Sequence, residues 1–135
     1  MDEPGACPFC PGGAWLYGLE LENDLCLFLA GREPVLQGSG VIIPRAHRPT
    51  VFDLTPAEWV ATFDLLQRAR DLLRERYQAE AFSVGWNCGP TAGQDVPHAH
   101  LHVIPRFADE PFAGRGIRWW LRQPENLRPS LRGEG

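Results

Sequence analysis

The stretch Pro97-His98-Ala99-His100-Leu101-His102-Val103-Ile104-Pro105 places three of the chain's four histidines at every second position. Side chains alternate between the two faces of a β-strand, so this spacing predicts a strand with all three imidazoles on one face. Ala99, Leu101, Val103 and Ile104 are expected to form the opposite, apolar face. Imidazole ionises near neutral pH and can serve as base, nucleophile or metal ligand. The strand therefore predicts a reaction site or a metal site, and a surface strand without function is the plain alternative.

Length and charge limit the number of domains and the kinds of partner that the chain can have. The chain has 135 residues and a net charge of −4, and all thirteen basic residues are arginines. We expect a single domain over 1–135, with a core at about 7–106 and a C-terminal tail at 107–135. No basic field is present to attract nucleic acid, and no apolar run reaches the roughly 20 residues that span a membrane. Nucleic acid and membranes are therefore not expected as partners.

The N-terminus begins with Asp2 and Glu3 and lacks the basic-then-apolar layout of a signal peptide. We therefore expect a cytoplasmic protein, in which the four cysteines serve another purpose than disulfide bonding. Cys26 lies in an apolar run and is expected in the core. Cys88 receives no role.

Short apolar stretches separated by turn residues predict four strands besides the histidine strand. They lie at 15–19, 25–30, 41–44 and 81–86, with a turn at 22–24 and a loop at 87–97. One helix is predicted at about 56–78, because Thr55 can cap it, Pro56 suits its first position and Glu58 completes a capping box. Trp59, Phe63, Leu66, Leu73 and Tyr77 follow helical spacing and are expected to form its packing face. The pattern indicates an α+β domain, an antiparallel sheet with one main helix packed on it.

The loop before the histidines contains groups suited to an anion. Gly93 lets backbone N–H groups approach closely, and the amides of Asn87 and Gln94 can donate to phosphate oxygens without adding charge. Because this loop leads directly into the histidines, we interpret the two together as a cradle for a phosphoryl group.

The stretch 98–104 resembles the signature of the histidine triad (HIT) superfamily, in which three histidines alternate with apolar residues. The preceding Ala-Gly-Gln-Asp-Val at 92–96 and the following Pro-Arg at 105–106 match the usual context of that signature. Upstream, Val-Ile-Ile-Pro-Arg-Ala-His at 41–47 resembles the family's apolar strand, and Cys-Pro-Phe-Cys at 7–10 resembles its Cys-x-x-Cys start.

The resemblance implies a HIT-like fold and a nucleotide hydrolase or transferase acting on an α-phosphate. His100 would be the nucleophile that forms a nucleotidyl-imidazole intermediate, with its other ring nitrogen donating to a backbone carbonyl, and His102 would donate to a phosphate oxygen. No catalytic metal is expected. The implied catalytic residues are His100, His102 and Gln94. The implied substrate-binding residues are Asn87, Gly93, Gln94, Val96, His100 and His102.

Two positions depart from the family pattern. Ser39 stands where many members have a histidine near the triad, and Gly31 stands where many have an Asp or Asn for the ribose hydroxyls. Arg32 or Asp24 are candidates to compensate for the second change. Leu27 and Leu29 are interpreted either as base-pocket residues or as core.

The spacing of Cys7 and Cys10 is typical of a metal knuckle. Two thiolates need two further ligands to close a tetrahedral zinc site. Family members with this pair bind structural zinc, and the resemblance implies the ligand set Cys7, Cys10, His47 and His98. The alternative is two free thiols at a mobile N-terminus.

Three functions are weighed. The leading one is a hydrolase of dinucleoside polyphosphates or nucleoside phosphoramidates. The second is a non-catalytic nucleotide-binding or zinc-stabilised interaction module. The third, a metalloenzyme using all three histidines of the triad as ligands, lacks the carboxylate that usually accompanies such a set.

The tail carries Arg115, Arg118, Arg122 and a Trp119-Trp120 pair. A solvated basic segment is the favoured interpretation of the arginines, and contact with a polyphosphate is the alternative. The family often forms homodimers, so a homodimer is possible, with the tryptophans at its interface or capping the core.

Overall fold

Five antiparallel strands form one sheet with the spatial order β1-β2-β3-β5-β4. The computed structural model describes residues 7–31 and 33–133. The strands are β1 Leu19–Glu22, β2 Cys26–Ala30, β3 Gly40–Pro44, β4 Ala81–Trp86 and β5 Leu101–Arg106. The helices are α1 Pro56–Tyr77 and the short α2 Ile117–Leu121, in a tail whose remaining turns begin at Pro124 and Pro129. The predicted α+β architecture is confirmed.

Only one histidine of the triad lies within a strand. β5 begins at Leu101, and the backbone of His98 and Ala99 instead bonds to the carbonyls of Val96 and Arg48. The β3–β5 ladder ends at the Ile42–Leu101 pair. Pro44, near the end of β3, has no N–H with which to extend it. The prediction of one strand carrying all three histidines is therefore wrong, although the rings of His100 and His102 still lie 4.9 Å apart.

Ile104 is the second correction in this segment. It lines the same cavity as His100 and His102, whereas Leu101 and Val103 are buried against α1. Because side chains alternate between the two faces of a strand, Ile104 shares the face of His102. It therefore does not lie on the predicted apolar face with Leu101 and Val103.

Helix α1 begins as predicted but buries a different face. The Thr55 hydroxyl accepts the Glu58 N–H and the Glu58 carboxylate accepts the Thr55 N–H, which completes the capping box. Trp59 is 50% exposed and Phe63 is 60% exposed. The residues buried in the helix are Glu58, Thr62, Leu65, Ala69 and Leu73. The buried stripe is thus shifted by one residue from the predicted one at its start, where Arg48 donates to the buried Glu58 carboxylate.

The core has two parts on opposite faces of the sheet. Leu65, Ala69 and Leu73 of α1 pack against one face, where Cys26 is fully buried as predicted. On the other face, the Cys7–Cys10 loop packs against Leu27, Leu29, Ile43 and Val96. This second cluster fixes the N-terminal loop beside the histidines.

The first strand begins later than predicted. Residues Leu16–Gly18 form a 3-10 turn, and β1 starts at Leu19. A Cβ atom at Gly18 would lie 2.7 Å from the carbonyl oxygen of Ala30, so the chain approaches β2 too closely for an ordinary side chain at this point. None of the helices in the described residues is both long and apolar enough to cross a membrane.

Candidate active site and metal-ligand cluster

A cavity of about 290 Å³ lies on the sheet face opposite α1. One wall is apolar and includes Phe9, Trp15 and Leu29, while His100 and His102 form part of the opposite side. The cavity therefore places ring and aliphatic surfaces directly beside two imidazoles, an arrangement suited to a small molecule with one flat apolar part and one polar part.

The ring of His100 is oriented by its own chain. Its Nδ1 lies 2.9 Å from the carbonyl oxygen of His98, and its side chain is almost fully buried. Because a carbonyl only accepts, Nδ1 carries a proton, and in the neutral ring Nε2 then keeps its lone pair. The Nε2 atom lies 3.4 Å from the exposed carboxylate of Asp95, which also lines the cavity. A neutral His100 ring thus presents the lone pair of Nε2 to the cavity.

His102 lies beside it, on β5. Burial lowers the pKa of His102, and the neighbouring His100 lowers it further, while Asp95 acts in the opposite direction. A ring that is mostly neutral in the free protein can still donate one hydrogen bond to an anion that enters the cavity.

The loop at 87–97 is braced by Gln94. Its amide oxygen accepts the Gly89 N–H at 2.7 Å, and its amide nitrogen donates to the carbonyls of Pro49 and Val96. In this structure the Gln94 side chain therefore shapes the loop and is not directed at the cavity.

The other predicted loop residues differ in position. Gly93 has φ +95°, a conformation that favours glycine, and a Cβ atom there would approach the Asn87 amide nitrogen to 3.9 Å. The Asn87 amide lines a groove next to His102 and makes no hydrogen bond within the described residues. Val96 is buried in the cluster with Cys7 and Phe9, so its side chain does not line the cavity.

The two cysteines, His47 and His98 converge at one point. Their ligand atoms all lie within 4.8 Å of one another and could hold a metal ion. The sulfur of Cys7 lies 3.3 Å from His98 Nδ1, and the sulfur of Cys10 lies 3.1 Å from His47 Nδ1 and 3.6 Å from His98 Nδ1. Ligands of a tetrahedral zinc ion are separated by about 3.5 Å between sulfur and nitrogen. The described residues thus fit a four-coordinate ion in geometry.

The chemistry of the donors fits as well. His98 Nε2 lies 2.8 Å from the carbonyl of Pro44, so Nε2 carries the proton and Nδ1 points bare at the sulfurs. Burial lowers the pKa of His98 to about 4, with the charges of His47 and His100 adding to it and the Pro44 bond opposing it. Burial raises the pKa of Cys10 to about 11, with Cys7 adding to the effect. A metal ion would reverse this preference for the thiol, because it binds the thiolate.

The two positions that depart from the family pattern have different surroundings. Ser39 lines the cavity, whereas Gly31 has open space around it and φ +86°. Asp24 lies in a different groove, against the first half of α1, and is not placed to compensate. Arg32 lies outside the described residues.

The cavity residues that sequence reasoning missed include Phe9, Trp15, Glu33 and Asp95. Phe9 lies inside the Cys-x-x-Cys loop, and its ring centroid is 5.3 Å from both the Trp15 and the His100 rings. The predicted metal-ligand set could have indicated Phe9. Phe9 lies between Cys7 and Cys10, so bringing both cysteines to His98 also brings Phe9 next to the triad. No local pattern indicated Trp15 or Glu33.

A model of the family described as HIT domain matches residues 19–109. The chain is 36% identical over 74 residues to asymmetrical bis(5'-nucleosyl)-tetraphosphatase of Schizosaccharomyces pombe, a match covering 55% of this chain and 41% of that protein. It is 38% identical over 80 residues to bis(5'-adenosyl)-triphosphatase of Saccharomyces cerevisiae, covering 58% of this chain and 39% of that protein. The chain thus spans about four-tenths of the length of these curated relatives.

Solved structures share the fold. The crystal structure of SMU.412c from Streptococcus mutans UA159 superimposes with a TM-score of 0.66 at 25% identity, covering 87% of this chain and 73% of that one. The similarity therefore extends over most of the sheet and the main helix.

Proposed function

Because this chain belongs to the HIT domain family, we propose that it is a nucleotide hydrolase that acts at an α-phosphate through a nucleotidyl-histidine intermediate. The observation that carries the proposal is the state of His100, whose Nδ1–H is held by the His98 carbonyl and whose Nε2 opens into the cavity. A nucleophile needs both features, a free lone pair and a fixed direction.

The reaction proceeds in two displacements. The lone pair of His100 Nε2 forms a bond to the α-phosphorus, and the bond from phosphorus to the leaving group breaks with its electron pair on the leaving group. Water then attacks the same phosphorus, the Nε2–phosphorus bond breaks, and the water proton passes to solvent. The products are a mononucleotide and the leaving group, and His100 returns to its first state.

The other predicted residues have supporting roles. His102 donates to a non-bridging oxygen, and the unpaired amide of Asn87 with the backbone at Gly93 stabilises the developing charge. Gln94 acts by holding the loop, and its amide reaches the phosphate only after giving up a carbonyl partner. Phe9 and Trp15 form the surface on which the base lies.

The proposed substrates are dinucleoside polyphosphates or nucleoside phosphoramidates. The names of the two curated relatives favour the first class. Diadenosine tetraphosphate and adenosine 5'-phosphoramidate should both yield AMP, whose formation can be followed by chromatography. His100→Ala should abolish turnover, whereas Arg128→Ala, an exposed change in the tail, should leave it intact. Nucleotide binding without any AMP formation by the unaltered protein would favour the non-catalytic module instead.

We also propose that the Cys7, Cys10, His47 and His98 cluster binds one structural zinc ion. The convergence of the four donor atoms and the Pro44 bond to His98 support this proposal. The ion would join the N-terminal loop to the end of β3 and to the segment before β5, and it takes no part in the displacement steps.

Metal analysis of the purified protein tests the zinc site. One equivalent of zinc is expected, and Cys7→Ser and His98→Ala should each lower the content. Cys88→Ser is the matched control, because Cys88 lies outside the cluster. Full zinc content in both ligand variants would exclude this ligand set.

We further propose a homodimer and a cytoplasmic location. Trp59, Val60 and Phe63 expose apolar surface on the first half of α1, which supports pairing with a second copy. None of the four cysteines forms a disulfide bond in the structure, which supports a reducing compartment. Light scattering should give twice the chain mass, and Phe63→Glu should give the monomer. Cell fractionation tests the location.

A further inference from the structure

A groove adjoins the cavity and shares two lining residues with it. His102, Ile104 and Arg106 follow at two-residue intervals along one face of β5. Ile104 and Leu36 line both the cavity and the groove, which then continues past Arg106 to Phe112, Arg115 and Trp120. The rise of a strand makes the distance from His102 to Arg106 about 13 Å. A ligand longer than a mononucleotide can therefore extend from His100 into the groove.

Arg106 fixes the far wall of the groove to the strand that carries His102. Its guanidinium donates to the carboxylate of Glu110, to the hydroxyl of Ser83 and to the carbonyls of Phe112 and Arg115. The Glu110 carboxylate also accepts the Phe107 N–H. These bonds order the segment that carries the groove's aromatic residues, and they neutralise the charges of Arg106 and Glu110 against each other.

Arg115 is the positive charge that remains. Its guanidinium carbon lies 4.4 Å from the Trp119 ring centroid and 5.0 Å from that of Phe112, so the rings hold it in place. Within the described ranges no carboxylate lies within 4.0 Å of its nitrogens. A guanidinium with its N–H donors free and its plane fixed is suited to phosphate oxygens.

The described residues of the cavity include no such charge. It is lined by the carboxylates of Glu33 and Asp95, and no arginine is among its described lining residues. The chain contains no lysine. Among the described residues, a polyphosphate bound at His100 finds its positive partner outside the cavity, where the groove offers Arg115.

The groove also presents two partly exposed rings. Trp120 is 47% exposed and Phe112 is 51% exposed, and their ring centroids lie 5.3 Å apart. An exposed aromatic face can stack on a nucleobase, and every base has such a face. A positive charge beside a stacking surface matches the chemistry of a second nucleotide.

We propose that this groove binds the leaving half of a dinucleoside polyphosphate, with Arg115 on the bridging phosphates and Trp120 with Phe112 against the second base. The inference rests on the proposed function, because it assigns the leaving group of that reaction. It also makes Arg115 and Trp120 specificity-determining residues that select substrates with two nucleosides over those with a small leaving group.

Steady-state kinetics on two substrates test the proposal. Arg115→Gln should raise KM for diadenosine tetraphosphate about tenfold, by loss of a charged contact, with kcat unchanged. Trp120→Ala should raise the same KM about five- to tenfold through loss of stacking. Neither change should alter KM for adenosine 5'-phosphoramidate, which has no second nucleoside. Arg118→Gln is the matched control, since Arg118 is exposed on α2, three residues after Arg115, and does not line the groove.

Calorimetric binding to the His100→Asn variant separates this inference from the proposed function. There, diadenosine tetraphosphate should bind more tightly than AMP, and adding Arg115→Gln should remove most of that difference. If neither substrate is turned over, the hydrolase proposal fails while the binding comparison still tests the groove. Two results would overturn the inference. One is an equal change of KM for both substrates in Arg115→Gln. The other is equal affinity of the His100→Asn variant for AMP and the tetraphosphate.

Discussion

At the scale of single residues, hydrogen bonding distinguishes the three histidines of the triad. His98 donates from Nε2 to the Pro44 carbonyl and turns Nδ1 towards the cysteines. His100 does the reverse, donating from Nδ1 to the His98 carbonyl and presenting Nε2 to the cavity. Each carbonyl fixes a tautomer, and the tautomer decides which nitrogen can act.

Asp95 gives a prediction at this scale. Its exposed carboxylate lies 3.4 Å from His100 Nε2, where the phosphate of a substrate is expected. Asp95→Asn should lower KM for anionic nucleotides roughly fivefold, because two like charges about 4 Å apart in water repel by roughly 1 kcal/mol. Initial-rate measurements at low salt check this, and the difference should shrink as ionic strength rises.

Asp109→Asn is the matched control for this prediction. It removes the same charge from an exposed position that lies outside the cavity. A KM that stays the same or rises in Asp95→Asn would show that the carboxylate does not oppose the bound phosphate.

At the scale of elements, the start of α1 is tied to the segment before the histidines. The Glu58 carboxylate accepts from Arg48 Nε at 3.0 Å, and the Arg48 carbonyl accepts the Ala99 N–H at 2.7 Å. Burial by itself would raise the pKa of Glu58, but the hydrogen bonds from Arg48 and Thr55 outweigh it and hold that pKa below 4.5. The charged form of Glu58 is therefore the one that stabilises the fold.

Glu58→Gln should cost about 1 to 2 kcal/mol of unfolding free energy at pH 7. Because the folded pKa is depressed, the stabilisation is fully present above the unfolded pKa and is lost as pH falls through the folded value. The difference between the two proteins should therefore shrink below about pH 4.5. Urea unfolding at pH 7 and pH 3 measures it.

Glu75→Gln serves as the control on the same helix, since Glu75 is exposed. It should change stability little at either pH. A difference between the unaltered protein and Glu58→Gln that is as large at pH 3 as at pH 7 would mean that packing, and not the ion pair, is responsible.

Helix α1 also shows which structural features the local sequence is sufficient to predict. The capping box and Pro56 fixed the start of α1 correctly, because those interactions join residues three apart. The helix face was predicted less well, since Trp59 and Phe63 are hydrophobic yet exposed. Which stripe is buried depends on how the helix lies on the sheet, and helical spacing alone does not carry that information.

At the scale of the whole molecule, the metal-ligand cluster joins distant parts of the chain. Cys10 and His98 are 88 residues apart in sequence. An ion at this point would hold the loop carrying Phe9 against the cavity, and it would thereby couple metal binding to the fold and to the cavity. Binding to the folded state alone stabilises a protein, by about 2.7 kcal/mol when the free metal is a hundredfold above its Kd.

Zinc removal should therefore lower the thermal midpoint of the protein by several degrees, and adding zinc back should restore it. Differential scanning calorimetry with and without a chelator measures the change. The chelator should have no effect on the midpoint of a Cys7→Ser, Cys10→Ser double variant, while Cys88→Ser should respond like the unaltered protein. A midpoint that is insensitive to the chelator, in protein shown to have lost its zinc, would contradict the coupling.

The sequence by itself determined the fold class and the span of the main helix, and it singled out the candidate site residues, because a capping box, a histidine spacing and a Cys-x-x-Cys pair are local patterns. Only the tertiary structure decided that His98 faces the cysteines, that Gln94 braces its own loop, that Phe9 and Asp95 line the cavity, and that Arg115 packs on the Trp119 ring with no ion-pair partner among the described residues. These features depend on contacts between residues far apart in the chain. They also depend on packing, which determines the hydrogen-bond partners that each side chain can reach.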